Sequence, residues 1–254
     1  MSLQNNRFKG LNIRKLLLVT SSLAAVSASS TAGAALFDCA SQPGYCIGAG
    51  DTVIFKYVGT SSTMGLFGTI EVVGDSIVAT PTNFRAESLN GAGSVSVNDN
   101  GAIQVIAKSG YQIDGVNILE RGDYLMSGAG TSVDVAGWVD VWDWNNLWGP
   151  SVQQTLAISG DLTINDGAIH TWTGATSFDL TGTNWDGINY IGLQLQNNLL
   201  ASTAAFGETA WIEKKLVGGG IDLSVITTVV PVPAAVWLFG SGLIGLIGVA
   251  RRKR

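Results

Sequence analysis

Residues 131–150 read TSVDVAGWVDVWDWNNLWGP. Taken as a strand, 133–142 sends alternate side chains to opposite faces, because the pleat of an extended chain repeats every two residues. One face receives Val133, Val135, Val139 and Val141; the other receives Asp134, Trp138, Asp140 and Trp142. A valine face belongs in a core, so this segment predicts a sheet that is apolar on one side and aromatic and acidic on the other.

The same grammar extends in both directions. Short β-type runs recur from about residue 50 to residue 229: TVIFKYV (52–58), TIEVV (69–73), SVSV (94–97), AIQVIA (102–107), GVNILE (115–120), TLAIS (155–159), SFDL (177–180), INYIGLQLQ (188–196), AWIEKK (210–215) and IDLSVITTVV (221–230). Between them lie NDNG, SGDL, NDGA and TGTNWDG, which are turn compositions. The expected fold is all-β: a single antiparallel β-sandwich of jelly-roll-like form over residues 35–229, with no linker dividing it. Only 197–206, NNLLASTAAF, reads as a short helix within that body.

Charge divides the 254 residues sharply. Residues 1–34 carry four basic groups and no acidic one, and 251–254 are basic throughout. The segment between therefore holds all 19 acidic residues against six basic ones. Such a body repels nucleic acid, which attracts basic patches, so no nucleic-acid partner is expected.

The first 34 residues have a basic stretch ending at Lys15, an apolar run from Leu16 to Val26, and Ala32-Gly33-Ala34. That order is a secretory signal peptide cleaved before Ala35, and the apolar run is short of the roughly 20 residues that span a bilayer. Export implies an oxidising compartment, where Cys39 and Cys46, framing the Pro43-Gly44 turn, are expected to form a local disulfide.

Candidate chemistry is sparse. Indole surfaces beside carboxylates suit sugars, which have apolar faces and hydroxyl edges, so Trp138, Asp140, Trp142 and Asp143 are candidate glycan contacts. The competing reading is that these tryptophans simply cover a sheet edge or pack beneath a neighbouring loop. Asp140/Asp143 and Asp161/Asp166 are the nominal carboxylate pairs for a glycosidase, which makes a secreted glycan-binding protein or glycan-active enzyme using residues 134–148 the alternative function. The one histidine, His170, has no nucleophile motif near it. No cofactor is expected; Ca²⁺ is the one ion whose oxygen-donor chemistry fits 98–101 and 159–167, although neither matches an EF-hand. Gly240-Ser241-Gly242-Leu243-Ile244-Gly245 matches G-x-G-x-x-G but lies in an apolar tail rather than a βαβ unit. The expectation is a non-enzyme.

The chain ends VPVPAAVWLFGSGLIGLIGVARRKR. Residues 234–250 form an uncharged run at the lower limit for a membrane-spanning helix, and Arg251, Arg252, Lys253 and Arg254 fix the cytoplasmic end. Pro231 and Pro233 keep the segment before the run extended. On these residues alone the tail is a C-terminal membrane anchor, with the body outside. A proline motif, a short glycine-bearing helix and a terminal Arg cluster together resemble the PEP-CTERM sorting signal of Gram-negative bacteria over residues 230–254. Pro231-Val232-Pro233 stands where that family's namesake has Pro-Glu-Pro, and Val230 through Gly242 is similar to its V-P-x-P-A-A-x-W-L-F-G-S-G variant. The resemblance implies an exosortase-type membrane enzyme as partner, transient residence in the inner membrane, cleavage near the proline motif, and delivery to the cell surface or to an exopolysaccharide or biofilm matrix. The expected function is that of an exported, non-catalytic surface or matrix protein.

Overall fold

In the computed structural model, residues 33–146, 148–214 and 220–231 are described. In chain order their strands are β1 (Ala35–Leu36), β2 (Tyr45–Ala49), β3 (Val53–Val58), β4 (Thr69–Val73), β5 (Ser76–Thr80), β6 (Arg85–Leu89), β7 (Gly93–Ala107) and β8 (Tyr111–Ser127). There follow β9 (Ser132–Asp143), β10 (Ser151–Thr155), β11 (Ala157–Ser159), β12 (Ile169–Asp179), β13 (Tyr190–Thr203), β14 (Thr209–Lys214) and β15 (Ile221–Val229). No described helix is long and apolar enough to cross a membrane. The expected signal peptide lies on residues 1–34 and the expected tail on 230–254; all but residues 33–34 and 230–231 of these fall outside the described residues.

The strands form two antiparallel sheets. The first runs β1-β4-β5-β15-β8-β12-β11, with β14 pairing both β8 and β6. The second runs β10-β9-β13-β7-β3-β2. The 17-residue β8 organises the first sheet: along one edge it pairs β15 through Glu120 and then β14 from Gly122, and along the other it pairs β12. Alternation decides which faces meet. Val133, Val135, Val139 and Val141 are all buried, as the valine pattern predicts, and they pack with Leu193, Leu195, Ile103 and Val105 of the second sheet. A residual cavity of about 20 Å³ lies between the layers, lined by Ile77 and Leu223 from one sheet and Ile103, Val139 and Leu193 from the other. Its lining is apolar, and such voids stay dry.

Three local readings are corrected. Residues 197–206 are not a helix; the strand β13 continues to Thr203. Asn197, Leu199, Ala201 and Thr203 are buried while Asn198 is exposed, so two-fold alternation overrides the helix propensity of Leu and Ala once β7 and β9 flank the segment. NDNG (98–101) is not a turn either. It runs through the middle of β7, paired with Leu195–Asn198 of β13. Its polar residues are tolerated because Asn98 and Asn100 face solvent, and because Asp99 Oδ2 accepts from Leu66 N–H at 2.6 Å. Finally TLAIS (155–159) is two strands. The chain leaves the second sheet after Thr155, buries Leu156, and joins the first sheet at Ala157.

The disulfide Cys39–Cys46 is formed. Gly44, at φ 81° within the intervening turn, takes a left-handed conformation that other residues resist, and Cys46 is fully buried beside β3.

Candidate functional site: an aromatic and amide face on the second sheet

Antiparallel registers place the outward residues of the second sheet in rows. One row runs Thr155–Trp138–Gln196–Asn100. The next runs Gln153–Asp140–Gln194–Ala102, and a third runs Ser151–Trp142–Gly192–Gln104–Lys56. Directly opposed side chains on one sheet face touch. The result is a face of amides and hydroxyls with two tryptophans set into it; Gln104 is buried within it, whereas Gln194 and Gln196 are half-buried and Asn100 is exposed.

Gly192 determines how Trp142 lies. A Cβ at position 192 would come within 2.7 Å of Trp142 Nε1 and closer still to its ring carbons. The Nε1 side of the indole therefore occupies the space that the missing side chain leaves over Gly192, and the ring is half-buried there. The series continues beyond the strand end. Trp144 sits 6.0 Å from Trp142 at an interplanar angle of 34°, and Tyr190 stacks on Trp144 at 5.8 Å and 24°. The Tyr190 hydroxyl donates to Gln104 Oε1, which fixes the ring's outer end; burial raises its pKa above the ordinary phenol value, with nearby Tyr45 adding to the effect. Lys56 Nζ lies 3.8 Å from the Tyr45 ring centroid, a cation–π pair at the far edge of the same face. A cleft of about 280 Å³ opens beside this series, lined by Tyr57, Met64, Asn100, Gln104 and Trp144. Trp144 thus belongs both to the ring series and to the cleft.

Of the four candidate glycan contacts, three share this face: Trp138, Asp140 and Trp142, all half-buried. Asp143 does not. By alternation it falls on the valine side, is 9 % exposed, and accepts from Asn145 N–H at 2.9 Å, shaping the turn that carries Trp144. Sequence reading missed Tyr190, Gln104, Gln194, Gln196, Asn100 and Lys56, since they come from strands far away in the chain and only the register brings them together. Trp148, at the tip of the same turn, is 97 % exposed.

The other candidates lie elsewhere. His170, the second residue of β12, holds Asp166 Oδ1 at 2.9 Å, with its ring 5.5 Å from that of Tyr124. That contact, followed by the Ala168 amide, holds the Asp166 carboxyl below its ordinary pKa. Asp161 is held low mainly by the Thr163 hydroxyl and then by the Thr163 amide. Both carboxylates thus brace their own loop, as Asx turns do. Among the described residues no group of three or more His, Cys, Asp or Glu is arranged to hold a metal ion.

No family model matches this chain, and no curated protein matches it. Solved structures give distant likenesses. The VP2 subviral particle of infectious bursal disease virus aligns at TM-score 0.27 and 11 % identity, over 79 % of this chain and 60 % of that one. A carbohydrate-binding module of the β-sandwich superfamily aligns at TM-score 0.22 and 10 % identity, over 71 % and 93 %. The enzymatically active domain of tailspike protein 4 of bacteriophage CBA120 aligns at TM-score 0.22 and 10 % identity, over 72 % and 20 %. At such scores these likenesses carry no argument about ligand or activity.

Proposed function

We propose that this chain is an exported, non-catalytic protein of the cell surface or extracellular matrix that holds polysaccharide on the aromatic and amide face of its second sheet. The observation that carries the reading is the seat of Trp142 over Gly192, continued by Trp144 and Tyr190 and flanked by Gln194, Gln196 and Asn100. A sugar ring has an apolar face for an indole and hydroxyls for amides, and this surface offers both groups side by side. Trp138 is four residues along β9 from Trp142, or about 13 Å at 3.3 Å per residue. An extended glycan lying along the strand therefore meets a second ring after passing Asp140 and Gln194.

A glycosidase working through Asp140 and Asp143 is less well supported, because such chemistry asks two carboxyls to flank one bond. Alternation sends these two to opposite faces. Sorting through Pro231, Val232 and Pro233 and the basic tip, by an exosortase-type partner, supplies the route to the surface in this proposal. No cofactor is required by it.

The test is affinity electrophoresis through gels containing acidic or neutral exopolysaccharide. The protein is expected to be retarded, and Trp142→Ala or Trp144→Ala to lower the affinity about thirtyfold, the equivalent of roughly 2 kcal/mol for a central aromatic contact. Equal mobility of all three proteins in every polysaccharide sinks the proposal.

A further inference from the structure

The core holds a polar cluster that the proposed function does not use. Lys214 on β14 and Glu120 on β8 are both wholly buried and form an ion pair, Nζ donating to Oε2. Asn197, fully buried on β13 of the opposite sheet, donates from Nδ2 to the same Oε2 at 3.0 Å. One carboxylate oxygen is thus bracketed by the lysine amine and the asparagine amide nitrogen, which makes the two nitrogens neighbours. Gly137 makes room for this arrangement, since a Cβ there would press on Asn197 Nδ2. The surroundings are aromatic: the Phe84 and Trp172 rings lie 5.4 Å and 5.3 Å from Nζ.

As a permanent ion pair the cluster is poorly satisfied. Glu120 Oε1, Asn197 Oδ1 and Trp172 Nε1 are buried and have no hydrogen-bond partner among the described residues. Buried charges with incomplete partners are costly, and cores seldom keep them without a reason. A primary amine, a carboxamide and a carboxyl group between them are the components of an amide-forming reaction.

We propose that Lys214 and Asn197 become joined by an intramolecular isopeptide bond, with Glu120 as the proton-transfer group. In the reaction the ammonium first gives a proton to the Glu120 carboxylate. The neutral Nζ then attacks Asn197 Cγ, forming the new C–N bond. Glu120 carries a proton from Nζ to Nδ2, the Cγ–Nδ2 bond breaks, and ammonia leaves. The nitrogen of Lys214 retains one hydrogen, the ammonia takes three, and the fifth remains on Glu120 as a neutral carboxylic acid. Charge is conserved, and no oxidant, metal or cofactor enters. Burial pushes the Lys214 amine below its ordinary range, against the opposing pull of Glu120, and so favours the nucleophilic form. The product replaces two buried charges with a neutral amide and an O–H donor, in a site whose orphaned atoms include two acceptors.

The bond would tie β13 of the second sheet to β14 of the first, an internal staple suited to a protein exposed outside the cell. The experiment is a chymotryptic digest of the purified full chain read by tandem mass spectrometry, because cleavage after Phe206 and Trp211 separates the two residues. The expected product is one branched peptide joining the Asn197 and Lys214 fragments, lighter than their sum by one ammonia. Glu120→Gln and Lys214→Arg chains should yield two linear, unmodified peptides. Recovery of unlinked, full-mass peptides from the folded wild-type chain overturns the proposal, and that readout needs no variant to fold.

Discussion

Replacing Gly192 with alanine isolates the seat on which the proposed binding surface depends. The new methyl group would stand 2.7 Å from Trp142 Nε1, where non-bonded atoms settle at about 3.5–4.0 Å. The indole must therefore lift by roughly an ångström, and its contact with the strand backbone is lost. Overpacking of this kind costs about 1–3 kcal/mol. Gly→Ala also restricts the unfolded chain, which returns about 0.4–1 kcal/mol. The expected net loss is about 1–2 kcal/mol, read as a shift in urea midpoint with unchanged m. In a Trp142→Ala background the clash has no partner, so the same change should be neutral or stabilising by up to about 1 kcal/mol. The double-mutant cycle then yields a coupling of about 1–3 kcal/mol between two residues facing each other across one rung. Polysaccharide retention should fall in Gly192→Ala, because the ring is displaced from its place beside Gln194 and Trp144. An identical cost of Gly192→Ala in both backgrounds refutes the reasoning, as the indole would then not occupy that seat.

Two further outcomes follow from other parts of the chain. Glu208 clamps two turns, its Oε1 accepting from Gly130 N–H at 2.6 Å and its Oε2 from the Ala204 and Ala205 amides at 2.8 Å. These bonds, that of Gly130 first, lower its pKa from the ordinary 4.5. Its contribution to stability is therefore fully present above about pH 4.5 and is lost as pH falls through the lower folded value. Melting temperatures measured across that range should fall less steeply for Glu208→Gln than for wild type; parallel curves contradict the clamp. If the tail is a sorting signal, mass spectrometry of surface-recovered protein should find a C-terminus near Pro231–Pro233, whereas an intact Arg254 at the surface contradicts sorting.

The valine side of 133–142 was readable because a buried sheet face imposes an unbroken two-residue rhythm on one strand. The expected disulfide was equally local, two cysteines and a Pro-Gly turn within eight positions. Strand extent was harder. Asn98–Asn100 and Asn197–Asn198 have turn-forming side chains, and each stretch is strand only because the other lies opposite it. Neither segment carries that information alone. The same reasoning explains the site: Trp138, Asp140 and Trp142 are a local pattern, but Tyr190, Gln104 and Gln194 join them through pairings across roughly 40 to 90 residues of chain, and register is a property of the assembled sheet. The Lys214–Glu120–Asn197 cluster drew no attention in sequence because each residue stands in a segment that reads as ordinary surface strand or helix, and only three separate strands brought together reveal it.

The central claim is that polysaccharide lies on the outer face of the second sheet. Indole N–H resonances of selectively labelled tryptophan report on it directly, since Trp138, Trp142 and Trp144 belong to that face or its rim while Trp172 and Trp211 are buried elsewhere. On titration with exopolysaccharide fragments, the Trp138, Trp142 and Trp144 signals should shift saturably while those of Trp172 and Trp211 stay unmoved. Saturable binding that leaves the first three unchanged would contradict it.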